Sequence, residues 1–258
     1  MEVIIQSTPA DAARIAATLI AKAVRAKPTL VLGLATGGTP LLLYDEIVRM
    51  NREEGLDLRH IRTFNLDEYL GLPTNHPASY RRFMQENFFA RTNIDPHRTF
   101  VPDGMTQDIP RHCREYEELI ESVGGIDIQI LGIGSDGHIG FNEPTSSLSS
   151  RTRDKTLTEQ TRRDNARFFP TPEDVPHGCL TMGIGTILES HQCILLAFGA
   201  GKADAVAAAV EGPVTSMVPA SALQMHADAK VFVDEKAAAK LKLRDYYDYA
   251  FRHSPALK

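Results

Sequence analysis

The sequence predicts an α/β fold in which a mostly parallel sheet is covered by helices on both faces. Apolar runs typical of buried strands alternate along the chain with helical patterns, as in βαβ units. No internal repeat, low-complexity tract or Pro/Gly/Ser-rich linker divides the 258 residues. We therefore expect a single domain over residues 1–258.

The predicted strands are short apolar runs, and the most hydrophobic of them precedes a glycine-rich turn. They comprise residues 2–6, 29–34, 61–65, 126–133, 192–198 and 230–233. Helices are predicted from residue 9 onward and over residues 40–52, 79–89, 110–122, 201–210 and 234–252. Ser7 or Thr8 can cap the first helix, and Pro40 suits an early position in the second.

A polar segment, rich in Ser, Thr and Arg, interrupts this alternation between residues 146 and 179. Its apolar clusters are short, such as Phe168 and Phe169. Insertions of this kind in α/β domains often serve as mobile lids, so we predict a lid at about residues 157–179. The alternative is an ordinary surface excursion.

Composition excludes several classes of protein. A net charge of −5 argues against a nucleic-acid partner or an acidic membrane surface. No apolar run approaches the ~20 residues that span a bilayer, and the N-terminus lacks the pattern of a signal peptide. Cys113, Cys179 and Cys193 form no CxxC pair, which favours a reducing, cytoplasmic compartment over a disulfide framework or zinc site.

The run ILGIGSDGHIGFNEP carries the densest chemistry in the chain. An apolar strand ends in a glycine-rich turn that presents Asp136, His138 and Glu143. Ligands of open α/β sheets bind at the carboxyl ends of the strands, and carboxylates can orient a histidine and raise its pKa. The same three residues could ligate a metal, but no second histidine completes a coordination shell, and we expect no metal.

The run GLATGGTP joins a strand to a helix through a Gly-Gly turn. Thr36 and Thr39 supply hydroxyls, while Gly37 and Gly38 let backbone N–H groups approach an anion. The run matches neither GxxxxGK[ST] nor GxGxxG, so it favours a small phosphate over a nucleotide. A tight connection without any ligand is the alternative.

Two further segments contribute charged residues. Asp67 and Glu68 follow a strand, where one acid could be a general base. Capping of the next helix and exposure at the surface are the alternatives for this pair. Lys202 follows another strand and begins a helix, an unfavourable place for a cation unless an anion is bound. Arg167, in NARFF, is the second basic candidate.

These segments, in this order and spacing, closely resemble the glucosamine-6-phosphate deaminase family. GLATGGTP, TFNLDEYLGLP, GIGSDGHIGFNEP, SRTRDKTLT and NARFF are similar to its hallmarks, and the likeness covers essentially the whole chain. The resemblance implies a three-layer, Rossmann-like fold. It also implies a hydrolase or isomerase of amino-sugar catabolism that converts glucosamine 6-phosphate to fructose 6-phosphate and ammonia without a cofactor.

The resemblance also implies roles for individual residues. Asp67 matches the proton acceptor at carbon 2, and His138 matches the acid–base group that opens the sugar ring. Asp136 and Glu143 match the orienting partners of that histidine. The active-site and phosphate-binding region falls on Thr36, Gly37, Gly38, Thr39, Arg167 and Lys202.

Regulation is implied by the segment SSLSSRTRDKT. A strand there would aim Arg153 and Lys155 at one face and Asp154 at the other. In allosteric members of the family, residues matching Ser146, Arg153, Lys155 and Thr156 bind the activator N-acetylglucosamine 6-phosphate between subunits of a hexamer. The resemblance therefore favours an allosteric homo-hexamer, with a solvated basic loop as the alternative.

Two other functions compete with the deaminase. A 6-phosphogluconolactonase has a related fold and a similar glycine–histidine segment, but it would not need the glutamate of FNEP. A non-catalytic sugar-phosphate sensor would lack one or more of the acid–base residues. All four are present here: Asp67, Asp136, His138 and Glu143.

Overall fold

The computed structural model describes residues 1–254, so the last four residues of the predicted domain lie outside the described chain. The strands are β1 Glu2–Gln6, β2 Val31–Leu34, β3 Arg62–Asn65, β4 Asp67–Tyr69, β5 Thr99–Phe100, β6 Ile128–Leu131, β7 Arg153–Thr156, β8 Gly178–Thr181, β9 Gln192–Ala197 and β10 Ala229–Asp234. The α-helices are α1 Pro9–Ala26, α2 Leu41–Glu53, α3 Tyr80–Asn87, α4 Ile109–Ser122, α5 Glu159–Asn165, α6 Ile184–Leu188, α7 Ala203–Glu211 and α8 Arg244–His253.

Seven of the described strands form one parallel sheet in the order β1-β10-β9-β6-β2-β3-β5. All residues of β2, β6 and β10 are buried, so helices cover both faces of the sheet, as predicted. The six strands expected from the sequence all lie in this sheet. Strand β5 was not predicted because it has only two residues, too few to show a hydrophobic pattern in the sequence.

Helix starts follow local chemistry. The Thr8 side chain accepts a hydrogen bond from the N–H of Asp11 and caps α1, which confirms one of the two predicted caps. Ser79 caps α3 in the same way. Most of the buried side of α1 consists of small residues beside Ile20 and Val24, which lets the helix lie close to the sheet: Ala12, Ala13, Ala16, Ala17 and Ala21. No helix within residues 1–254 is both long and apolar enough to span a membrane.

A second, antiparallel sheet of three strands has the order β4-β8-β7 and was not predicted as a sheet. It orders the polar segment, together with a small apolar cluster in which Phe169 meets Tyr69 edge-to-face at 5.5 Å. In β7 the side chains of Arg153 and Lys155 are half-buried, whereas Asp154 is exposed. The predicted alternation is therefore present.

The predicted helix over residues 234–252 is wrong in its first half, because α8 begins at Arg244. Asp234 is instead the last residue of β10, and its carboxylate accepts hydrogen bonds from the N–H groups of Gly199 and Ala237. Residues 235–240 form turns. The Glu211 carboxylate then accepts the N–H groups of residues 242 and 243, which fixes the chain just ahead of the helix.

Candidate active site

A cavity of about 180 Å³ opens at the carboxyl edge of the parallel sheet. Its floor is formed by residues that directly follow β2, β3 and β6. The chain leaves β2 toward β3 on one side and leaves β6 toward β9 on the other. The strand order therefore reverses between β2 and β6, and such a switch point is where open α/β sheets bind ligands.

The structure brings eight of the predicted site residues to this one cavity. They are Thr36, Gly37, Gly38, Thr39, Asp67, His138, Arg167 and Lys202. Asp136 and Glu143 contact His138 from outside the lining. The four residues predicted to bind a regulator do not line the cavity.

Asp67 and Glu68 are both buried but have different surroundings. The Asp67 side chain faces the cavity, where burial and the neighbouring charge of Glu68 raise the pKa of its carboxyl to about 8. The Glu68 carboxylate accepts the N–H groups of Tyr69, Tyr80 and Arg81 and the hydroxyl of Ser79. Asp67 is thus free to react, whereas Glu68 caps the start of α3.

The sharp turn after β6 places His138. Gly137 takes a positive φ of 87°, and the Asp136 carboxylate accepts the backbone N–H of His138. The imidazole ring lies directly over Gly134, where an added Cβ would stand 2.2 Å from Cε1 of the ring. Glycine at position 134 is therefore required for the ring to occupy this place.

Two carboxylates flank the same ring nitrogen. Nδ1 of His138 lies 2.7 Å from Oδ1 of Asp136 and 3.6 Å from Oε2 of Glu143. Oε2 of Glu143 is too distant for a hydrogen bond, and Oδ1 of Asp136, although close, does not lie along the N–H direction of Nδ1, so both are close electrostatic contacts. Burial alone would raise the pKa of Asp136, but its close contact with the His138 ring, the charge of that ring and the hydrogen bond from the His138 N–H outweigh burial and lower that pKa to about 2. With both carboxylates beside Nδ1, Nε2 is the ring nitrogen left for the cavity.

Glu143 also connects this turn to α5. Its Oε1 accepts the N–H of Thr158 at 3.1 Å and the hydroxyl of Thr158 at 3.3 Å. Thr145, two residues later, has a φ of 77°, which residues other than glycine seldom adopt. Its N–H donates to the carbonyl of Ser216 at 2.8 Å, so a tertiary contact holds the turn that aims Glu143.

The lining of the cavity also carries two cations. Lys202 is half-buried and Arg167 is exposed, and neither forms an ion pair with a residue in the described range 1–254. Burial lowers the pKa of the Lys202 ammonium, the charges of Asp164 and Asp136 oppose that change, and the charge of Arg167 adds to it. A bound phosphate would stabilise the charged ammonium, as expected for a phosphate-binding site. Gly37, with a φ of 96°, turns the chain beside them.

The regulatory candidates lie elsewhere. Nη1 of Arg153 donates to Oδ1 of Asn142 at 3.0 Å, and Lys155 shares that face of β7. Thr156 is exposed on the opposite face together with Asp154, so the strand does not bring Thr156 to the two cations. Ser146 is buried, and its hydroxyl has no hydrogen-bond partner among the described residues.

The sequence prediction missed several residues of the cavity: Tyr80, Ser135, Thr161, Asp164 and Asn165. Four of them belong to α3 or α5, and nothing local in those helices indicates which residues face a ligand. Ser135 lies inside the predicted glycine-rich turn and could have been chosen from it.

The carboxylate–histidine group could also hold a metal ion. One ligand atom each from Asp136, His138 and Glu143 lie within 4.8 Å of one another. Two acids that orient an imidazole explain the same spacing, and a histidine that lines the cavity suits proton transfer.

Comparison with known proteins supplies the family. The family model described as glucosamine-6-phosphate isomerases/6-phosphogluconolactonase matches residues 6–233. A glucosamine-6-phosphate deaminase of Rhodococcus opacus is 51% identical over 256 residues, which are 99% of this chain and 98% of the relative. One from Hahella chejuensis is 54% identical over 247 residues, covering 96% and 94% of the two chains.

Solved structures agree with this assignment. A monomeric glucosamine-6-phosphate deaminase superposes with a TM-score of 0.91 at 47% identity, covering 93% of this chain and 100% of the other. The 6-phosphogluconolactonase of Trypanosoma brucei has a TM-score of 0.76 at 21% identity over 93% and 98%, which supports the fold alone. The predicted α/β fold and the resemblance are confirmed, and this chain belongs to the family of glucosamine-6-phosphate isomerases and 6-phosphogluconolactonases.

Proposed function

We propose that this chain is a glucosamine-6-phosphate deaminase, which converts glucosamine 6-phosphate and water to fructose 6-phosphate and ammonia. The observation that carries the proposal is one cavity lined by a buried base, an oriented histidine and two cations without ion-pair partners in the described chain. Relatives of that name, about half identical over nearly the whole chain, support it. The reaction is an isomerisation coupled to deamination, and water enters only when the imine is hydrolysed.

Ring opening is the proposed task of His138. A cyclic amino sugar must open before the proton on carbon 2 becomes acidic. Opening moves a proton from the hydroxyl of carbon 1 to the ring oxygen, and a neutral imidazole at the cavity can carry it. Asp136 and Glu143 orient the ring and stabilise its charged form between the two transfers.

Asp67 is the proposed base that removes the proton from carbon 2. A pKa of about 8 leaves most of this carboxyl protonated at neutral pH in the free protein. The substrate carries its amino group on the same carbon, and a bound ammonium lowers the pKa of an adjacent carboxyl. Substrate binding would thereby create the active carboxylate. Proton return to carbon 1 gives the imine at carbon 2, and water then releases ammonia.

Lys202, Arg167 and the turn at Gly37 and Gly38 are proposed to bind the phosphate. This group does not react, so its binding energy serves to hold the sugar between His138 and Asp67.

We also propose that residues 157–179 close over the site, within one domain of residues 1–258. The support is that α5 contributes Thr161 to the cavity while its N-cap residue, Thr158, contacts Glu143.

The competing functions differ in their products. A lactonase would hydrolyse 6-phosphogluconolactone and release no ammonia, and a sensor would bind glucosamine 6-phosphate without turnover. Supplying each compound and measuring ammonia therefore separates the three. Ammonia from glucosamine 6-phosphate supports the deaminase, whereas lactone hydrolysis alone or binding alone would replace it.

Regulation by N-acetylglucosamine 6-phosphate in a homo-hexamer is a separate proposal. Arg153 and Lys155 on one face of β7 support it, whereas Thr156 on the other face and the similarity to a monomeric deaminase weigh against it. A hexameric mass with sigmoidal kinetics that the activator makes hyperbolic would support it. A monomeric mass with hyperbolic kinetics would reject it.

A reducing, cytoplasmic setting is proposed from the three free, buried cysteines.

A further inference from the structure

Glu68 is a buried acid that the proposed reaction does not use. This residue is 2% exposed and does not line the cavity, although Asp67 directly precedes it. Successive side chains of a strand point to opposite faces, so Glu68 points away from the substrate. A buried carboxylate beside a catalytic base therefore acts through other groups or only on stability.

Four donors surround this carboxylate. Oε1 accepts the N–H groups of Tyr69 at 2.9 Å and Tyr80 at 3.0 Å. Oε2 accepts the hydroxyl of Ser79 at 2.8 Å and the N–H of Arg81 at 3.0 Å. Three of these are backbone N–H groups, which can only donate, so the arrangement suits the ionised carboxylate. Burial raises the pKa of Glu68, and these hydrogen bonds oppose that rise.

The donors belong to two different walls of the cavity. Tyr69 lies in β4 with the base, whereas Ser79 and Tyr80 form the start of α3. Tyr80 lines the cavity, and its hydroxyl donates to that of Tyr69 at 3.2 Å. One carboxylate thus fixes the strand that carries Asp67 relative to the helix that supplies the facing phenol.

We infer that Glu68 is a positioning residue: it holds Asp67 and the first turn of α3 in register and keeps a fixed negative charge beside the base. The inference rests on the proposed function, because it assigns Asp67 the role of base. A residue with this role should alter the pH dependence of turnover, which a purely structural residue would not.

The other groups around Asp67 do not supply this charge. The titratable residues that face it from neighbouring elements are Tyr44, Tyr69, Tyr80, Tyr116 and Cys179, and burial raises the pKa of each, so all are neutral near pH 7. His138, Lys202 and Arg167 face the same cavity, and a positive charge on any of them acts in the opposite direction. Asp164 also lines the cavity, but Glu68 is the acid directly beside Asp67 whose charge raises the pKa of the base.

The decisive variant is Glu68→Gln. Removal of the negative charge lowers the pKa of Asp67, so the acid limb of kcat/KM, which reports the free enzyme, should move to lower pH by about one unit. Glu117→Gln is the matched control. Glu117 lies outside the cavity and also accepts four hydrogen bonds, from Arg151, from Thr186 and from the N–H and hydroxyl of Thr152. Its loss should lower stability and leave the acid limb in place.

A folded Glu68→Gln protein with an unmoved acid limb would overturn the inference. If that variant does not fold, Glu68→Asp keeps the charge but is too short to reach all donors of α3. It should lower kcat several-fold with the acid limb in place, and unchanged kcat would overturn the positioning role. Carbon-13 NMR titration can measure the pKa of the Asp67 carboxyl directly, without turnover. The Asp67 signal is the one that disappears in Asp67→Asn, and its pKa should be lower in Glu68→Gln than in the wild type. Failure of the proposed function itself would show separately, as wild-type protein that releases no ammonia.

Discussion

Replacing Gly134 with alanine should disable His138 while leaving the protein folded. The new Cβ would stand 2.2 Å from Cε1 and 2.3 Å from Nδ1 of the imidazole. Non-bonded carbon atoms normally approach to about 3.5–4.0 Å, so the ring must retreat by more than ~1 Å. A misplacement of about 1 Å at a reacting group costs roughly 10²-fold in rate, and we expect kcat to fall by that factor.

Stability should change much less than turnover in Gly134→Ala. The ring borders an open cavity and can move into it, so overpacking should cost about 1–3 kcal/mol, or several degrees in Tm. Gly201→Ala is the control, because its added methyl group meets no atom within 4 Å and Gly201 does not line the cavity. The assay is ammonia release at saturating glucosamine 6-phosphate. A Gly134→Ala enzyme within twofold of wild type would refute the placement of His138.

Three further changes test the remaining groups. Lys202→Ala should weaken the binding of glucosamine 6-phosphate by about 10–100-fold and hardly change the binding of glucosamine, because a charge-assisted hydrogen bond is worth about 1.5–3 kcal/mol. The control Arg163→Ala removes an exposed cation of α5 and should leave the binding of both sugars unchanged. Glu143→Gln removes a negative charge 3.6 Å from Nδ1 of His138, so the limb of the pH–rate profile that His138 governs should move to lower pH, and an unmoved profile would exclude this coupling. Asp67→Asn should lower kcat by at least ~10² yet raise Tm at pH 8. In the folded wild type Asp67 keeps a proton that the unfolded chain loses above about pH 4, so the free energy of unfolding falls as the pH rises toward the pKa of Asp67, about 8. Asparagine does not titrate and avoids this loss. An unchanged or lower Tm of Asp67→Asn at pH 8 would contradict the raised pKa of Asp67.

The parts of the fold that local chemistry determines could be predicted from the sequence. Apolar runs located six strands of the parallel sheet, and Thr8 marked the start of α1. Glycine-rich turns at strand ends located most of the cavity lining, because such turns and the carboxyl edge of the sheet occur together. Arg153 and Lys155 share a face, as strand periodicity required.

The remainder depends on contacts between distant residues. Strands β4, β7 and β8 are polar or short, and they pair beside an apolar cluster that brings Tyr69, Phe169 and Cys179 together from distant parts of the chain. Which acid of the pair at positions 67 and 68 would face the cavity was decided by donors at the start of α3, eleven or more residues away. The start of α8 was misplaced because the turns before it are held by Asp234 and Glu211.

The most direct test of the central claim is a balance of products from purified protein. Glucosamine 6-phosphate would be the only substrate supplied, and ammonia and fructose 6-phosphate would be measured in the same sample. The Asp67→Asn variant would be assayed in parallel, and the wild type would also be tested with 6-phosphogluconolactone. The account predicts the two products in equal amounts, turnover lowered at least ~10²-fold in the variant, and no hydrolysis of the lactone above the uncatalysed rate. Lactone hydrolysis without ammonia release, or equal ammonia release from the variant, would contradict it.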